Sequence, residues 1–103
     1  MYRQGRSVST RFLTLHWFPR PEDPEGEPRL GLAVPRSVSG SAVVRNRLKR
    51  QLRATWEELC ERARPGCDYV LVPRQGLVEP AEARGHGWLR EQVSEVLGKA
   101  AGA

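Results

Sequence analysis

The chain has 103 residues, 39% of them hydrophobic, which is room for one small core and one domain spanning 1–103. Its 17 Lys plus Arg outweigh 12 Asp plus Glu, giving a formal charge of +5 and a pI near 10.0, a balance that favours a polyanionic partner. No apolar run reaches the length of a membrane span, and Cys60 and Cys67 have neither metal-ligand spacing nor a secretory signal before them, so the reading is a cytoplasmic protein with reduced thiols, no membrane and no metal site.

Ser7 to Phe18 reads as a strand, with Leu13, Leu15 and Trp17 on one face and Phe12, Thr14, His16 and Phe18 on the other. Residues 19–28 hold four prolines and four acids, with no periodicity, and predict a loop. Arg29 to Val34 predicts a second strand ended by Pro35, and the two strands are expected to pair as an antiparallel hairpin. Ser37 to Ser41 is a turn of small residues, with Ser41 placed to cap a helix.

That helix is expected from about Ala42 to about Ala63, stopped by Pro65-Gly66. Val44, Leu48, Leu52, Trp56, Leu59 and Ala63 recur at helical spacing and form its apolar stripe. Asp68 to Val72 predicts a buried strand, and Trp88 to Ala100 a closing helix through Leu89, Val93, Val96 and Leu97. Cys60 is expected to be buried, Cys67 to lie in a loop, and Trp56 and Trp88 to belong to the core. The order strand, strand, helix, strand, helix predicts a mixed sheet with packed helices.

The charge is segregated. Residues 1–53 carry a net +7 and residues 54–103 a net −2. The basic side chains are 15 Arg and 2 Lys, and the planar Arg fork suits phosphate and stacks on bases. On the predicted helix Arg45, Lys49 and Arg53 form one ridge, Asn46 and Arg50 a second beside it, and Arg47 projects from the other flank. Arg45 and Arg47 sit where the helix dipole disfavours cations, and no acid lies between Arg36 and Arg53 to offset their repulsion. A polyphosphate partner relieves both penalties.

The run Arg45-Asn46-Arg47-Leu48-Lys49-Arg50, followed by Leu52-Arg53, resembles the signature of the bacterial ribonuclease P protein subunit. Gly31-Leu32-Ala33-Val34, Ala42-Val43-Val44, Asp68 to Arg74, Gly5 to Val8 and Arg11-Phe12 resemble the flanking segments of that family, so that the likeness spans about Tyr2 to Leu97. It implies an α/β (α+β) two-layer sandwich: a small mixed sheet, helices on one side, and the signature helix in a left-handed βαβ crossover. It further implies that Arg45, Asn46, Arg47, Lys49, Arg50 and Arg53, with Arg36 upstream, contact a catalytic RNA subunit. A single-stranded precursor-tRNA leader would then lie on the sheet against Tyr2, Arg11, Phe12, His16 and Phe18. Catalysis is expected from the RNA with its own Mg²⁺, and no cofactor on the chain alone.

Three departures stand out. The chain begins where the family's first helix should be ending, which weakens the expected grip on the leader. Val38 to Ser41 is one residue longer than the family's turn. Pro73 replaces a small residue at a strand end, where it costs little.

Other readings fare worse. His16 and His86, the only histidines, would have to supply a two-histidine phosphodiester site, and His86 lies between two glycines. Glu57, Glu58 and Glu61 read as a solvated face pairing with Arg53 and Arg62 rather than metal ligands. A helix-turn-helix DNA reader is disfavoured by strands on both sides of the basic helix. A protein-interaction module leaves the clustered charge unexplained. The alternative retained is a general RNA-binding or ribosomal-type accessory protein that uses the same helix.

Overall fold

A computed structural model describes residues 5–102. It contains β1 (Arg6–Ser9), β2 (Leu13–Pro19), β3 (Arg29–Leu32), α1 (Ala42–Leu59), a 3-10 turn (Cys60–Arg62), β4 (Cys67–Pro73), α2 (Val78–Arg84) and α3 (His86–Ala101). Tyr2 lies outside the described residues.

The four strands form one mixed sheet in the order β1-β2-β4-β3. β2 runs antiparallel to both β1 and β4, and β3 is parallel to β4. The expected antiparallel hairpin of the Ser7–Phe18 strand with the Arg29–Val34 strand is therefore wrong: β4 lies between β2 and β3, and α1 makes the crossover from β3 to its parallel neighbour. Nor is Ser7 to Phe18 one strand. It folds at Thr10–Phe12 into the β1–β2 hairpin, where buried Thr10 donates its backbone N–H to the Leu13 carbonyl and accepts from the Leu13 N–H through Oγ1. Arg74 fixes this turn by donating from Nη1 to the Thr10 carbonyl at 2.9 Å.

Alternation decides which face is the core. Leu13, Leu15 and Trp17 of β2 pair with Pro73, Leu71 and Tyr69 of β4, and all six are buried. Onto this face pack Leu48, Leu52, Thr55, Trp56 and Leu59 of α1, and Leu89, Val93, Val96, Leu97 and Ala100 of α3. Trp56 and Trp17 both lie against the Tyr69 ring. Tyr69 accepts the Arg64 N–H at its hydroxyl, whose pKa is raised by burial. Ser41 caps α1 as expected, its Oγ accepting from the Val44 N–H. The α1 helix itself stops at Leu59 and tightens into the 3-10 turn. The two thiols exchange their expected places: Cys67 is buried at the start of β4, and Cys60 is only half-buried.

Register gives the sheet two chemically distinct ends. At one end lie the loops 10–12, 33–41 and 74–77, together with the start of α1; these loops carry Arg11, Arg36 and Arg74 and no acid. At the other end lie residues 20–28, with Glu22, Asp23, Glu25 and Glu27, beside the turn at 60–66. The acidic loop is tied to that turn: Gly66 donates to the Gly26 carbonyl and accepts from the Arg20 N–H, each at 2.7 Å.

Gly66 adopts φ 72°, and a Cβ there would stand 2.4 Å from the Pro24 carbonyl oxygen. Gly66→Ala is therefore expected to destabilise by about 1–3 kcal/mol, through left-handed strain plus displacement of backbone. Gly76→Ala carries the strain alone, since φ there is 97° but the space is open. Thermal unfolding checks the ranking, and equal losses at the two positions would contradict the docking of the loop.

Candidate nucleic-acid interface

The cations of α1 divide into two groups according to what surrounds them. At about 100° per residue, Arg47, Gln51 and Glu58 share one flank of the helix, while Arg45, Lys49 and Arg53 share the other. The first flank faces α2 and α3: Arg47 Nη2 lies 2.6 Å from Glu82 Oε1, and Glu58 is bound by His86 at 2.7 Å and Arg90 at 2.9 Å. The second flank faces away from the other helices, on the side where α1 touches β3.

Arg45 is half-buried and donates to the Ser39 carbonyl at 2.8 Å, so it holds the residue 37–41 turn against the start of α1. Among the described residues Arg36, Lys49, Arg50 and Arg53 have no ion-pair partner, and Asn46, Arg50 and Arg53 are exposed. The seven side chains named for RNA contact thus fall into two that organise the helix start and five that present free donors. The Arg47–Glu82 pair could not be read from the sequence, because α2 was not foreseen: seven residues with Ala81 as their one buried side chain show no period.

The sheet face away from the helices carries Thr14, His16 and Phe18 of β2, flanked by Ser7 and Ser9 of β1 and by Val70, Val72 and Asp68 of β4. Thr14, His16 and Phe18 are all half-buried, so this face presents a histidine and an aromatic ring to an occupant. Gly31 on β3, the register partner of Val70, adds no side chain to the face, and a Cβ there would make only ordinary contacts, 3.7 Å from the Tyr69 carbonyl oxygen and 3.8 Å from Val70. Phe18 packs so closely on Gly5 that a Cβ there would sit 2.3 Å from the ring.

Phe12 does not join this group. It precedes β2, and its ring meets Trp88 of α3 edge-on, with centroids 5.1 Å apart. Arg11 lies beside it, its guanidinium 5.4 Å from the Phe12 centroid. The alternation that placed Phe12 with His16 fails because the chain bends at residues 10–12 before the strand begins.

The acids of α1 also pair differently from the expectation. Glu58 binds α3 rather than Arg53, and Arg62 reaches Ser94. The hydrogen bond from His86 holds the Glu58 carboxyl below the usual carboxylate range, with Arg90 acting in the same direction against a desolvation penalty. This tie between α1 and α3 is present at neutral pH and is released as pH falls through the lowered pKa. Among the described residues no three His, Cys, Asp or Glu gather as metal ligands, and no helix is long and apolar enough to cross a membrane.

A family model described as Ribonuclease P matches residues 1–101. The ribonuclease P protein component of Geobacillus thermodenitrificans is 37% identical over 102 residues, which is 99% of this chain and 78% of that protein. That of Carboxydothermus hydrogenoformans is 39% identical over 74 residues, 72% of this chain and 62% of that protein. The RNase P protein from Thermotoga maritima superimposes with a TM-score of 0.79 at 29% identity, covering 91% of this chain and 82% of that one. The Staphylococcus aureus RNase P protein gives 0.74 at 26% identity, covering 93% and 81%.

Proposed function

Because the chain belongs to the ribonuclease P protein family, we propose that it acts in the cytoplasm as the RNA-binding subunit of a ribonucleoprotein that removes the 5′ leader from precursor tRNA. The unpaired cations of α1 dock the catalytic RNA, and the open sheet face holds the unpaired leader. The observation that carries this reading is the polarity of the sheet. The free cations of α1 continue into three acid-free, Arg-bearing loops at one end, while the acidic loop is tied back at the other. A phosphate backbone therefore meets positive charge along α1 and across the adjoining sheet end.

The chain's own part is to bind and orient. Arg45 and Arg47 keep the start of α1 and its turn in place through Ser39 and Glu82, so that Asn46, Lys49, Arg50 and Arg53 meet the RNA as a fixed set of donors. On the sheet, Phe18 and His16 give unpaired bases a surface to stack on, and Gly31 lets the strand approach the backbone. Mg²⁺ held by the RNA would supply the activated water and the charge stabilisation at the reacting phosphate. A general RNA-binding accessory role gives way to this one on family membership.

The experiment is a comparison of precursor with mature tRNA. His16→Ala with Phe18→Ala is expected to weaken binding of precursor tRNA to the assembled holoenzyme by about 1–3 kcal/mol for each stack removed, with affinity for mature tRNA unchanged. Equal losses for both RNAs would place the leader elsewhere.

A further inference from the structure

One cleft lies off the open sheet face. It has a volume of about 470 Å³ and is lined by Arg11, Phe12, Glu79, Arg84 and Trp88, with Gly76 at its wall. That size falls among small-ligand sites, roughly 300–1,000 Å³. Its composition is unlike that of a core gap. Trp88 is half-buried, steadied edge-on by Phe12, and offers indole surface to the cleft. Arg11 and Arg84 are exposed and have no carboxylate partner among the described residues. Glu79 is exposed and has no ion-pair partner among those residues either. Gly76 sits at φ 97°, a conformation that keeps side chains off that wall.

The position of the cleft matters as much as its lining. It opens at the sheet end that carries Arg11, Arg36 and Arg74, and α2, which supplies Glu79 and Arg84, is joined to α1 by the Arg47–Glu82 pair. The cleft thus adjoins the Arg47 flank of α1 through α2, whereas Lys49 and Arg53 stand on the opposite flank. An aromatic plane, two guanidiniums and one carboxylate together fit a nucleotide: a base to stack, a phosphate to bind, and an amino group to donate to the carboxylate.

We propose that this cleft seats one unpaired nucleotide of the bound RNA, its base on Trp88 and its phosphate on Arg11 and Arg84. The inference rests on the RNA-binding reading above and assigns that surface a second contact, apart from the sheet face of His16 and Phe18. Glu79 accepts only, so it favours bases with an exocyclic amino group, namely adenine, cytosine and guanine, over uracil.

The test is a titration of the full-length ¹⁵N-labelled chain with octacytidylate and with octauridylate, following indole N–H resonances. Trp88 is identified as the signal that disappears in Trp88→Leu, a change that keeps apolar contact with Phe12. The expected result is a saturable shift of the Trp88 indole with little movement of the buried Trp17 and Trp56, and roughly three- to tenfold tighter binding of the cytidylate. Glu79→Gln should remove that preference, and Arg11→Ala with Arg84→Ala should weaken both oligonucleotides. Shifts along α1 with a silent Trp88 would overturn this site and leave the proposed function standing. Shifts at neither place would count against RNA binding by this surface altogether. A Trp88 shift that survives Arg11→Ala with Arg84→Ala at unchanged affinity would also overturn the site.

Discussion

Replacing Lys49, Arg50 and Arg53 together with alanine is expected to flatten the salt dependence of RNA binding and to lower affinity most at low salt. Every phosphate that a cation no longer neutralises takes about 0.7–0.9 off the slope of log K against log salt, so three such phosphates take off about 2–3 units. The fold should be unaffected, because the buried stripe of α1 consists of Leu48, Leu52, Thr55, Trp56 and Leu59, and none of the three cations has an ion-pair partner among the described residues. Arg45→Ala and Arg47→Ala should behave differently. They loosen the Ser39 turn and the pairing with Glu82 as well, so part of their effect appears without RNA as a small drop in stability, about 0–1 kcal/mol for the exposed Arg47 pair. Circular dichroism with salt-dependent binding of the catalytic RNA separates the two sets. A folded triple variant with an unchanged slope would remove α1 from the interface.

Arg20→Ala carries the largest expected cost to stability. This guanidinium is 4% exposed and lies beneath the acidic loop. Its Nη1 donates to the Cys67 carbonyl at 3.0 Å and to Asp68 Oδ1 at 2.6 Å, and its Nη2 donates to the Glu27 carbonyl at 2.7 Å. Among the described residues its buried Nε has no partner, so Arg20 itself is incompletely satisfied. Removing it still leaves a carboxylate and two carbonyls without their donor. Breaking a fully buried pair costs about 3–5 kcal/mol. Asp68 keeps partial contact with water, which brings the expectation down to about 2–3 kcal/mol, or a fall in Tm of roughly 10–20 °C for a domain of this size. The RNA affinity of the folded fraction should not change, since Arg20 sits at the end opposite the cationic loops. A fall in Tm of only a degree or two would mean that the loop is not anchored by this side chain.

The same residue bears on what the sequence disclosed. The acidic segment read as a loop over 19–28 is a loop over 20–28, with Pro19 ending β2, but composition gives no sign that Arg20 among those acids is the buried one. A repulsive loop held away from RNA and an anchored loop have the same sequence signature, and only the second makes the segment costly to replace. Alternation along β2 correctly assigned Leu13, Leu15 and Trp17 to the core and His16 and Phe18 to the open face. It carried no information about neighbours, because the side-chain period of a strand is the same whichever strand lies beside it. The insertion of β4 between β2 and β3 was therefore invisible, as was the hairpin at Thr10–Phe12, whose turn contains neither Gly nor Pro. The α1 cations were legible as a group from spacing alone. Their division into organising and free members depends on Ser39 and Glu82, and Glu82 lies 35 residues away on a helix too short to announce itself.

The most direct test of the account is reconstitution with the catalytic RNA of the same organism and a precursor tRNA carrying a labelled 5′ leader. The chain freed of RNA is expected to cut nothing. Added to the catalytic RNA with Mg²⁺, it should speed release of the leader at the mature 5′ end, and the Lys49, Arg50 and Arg53 triple variant should need a higher concentration to reach the same rate. Cleavage at the mature end by the RNA-free chain, or a catalytic RNA whose rate is indifferent to the chain, would contradict the account.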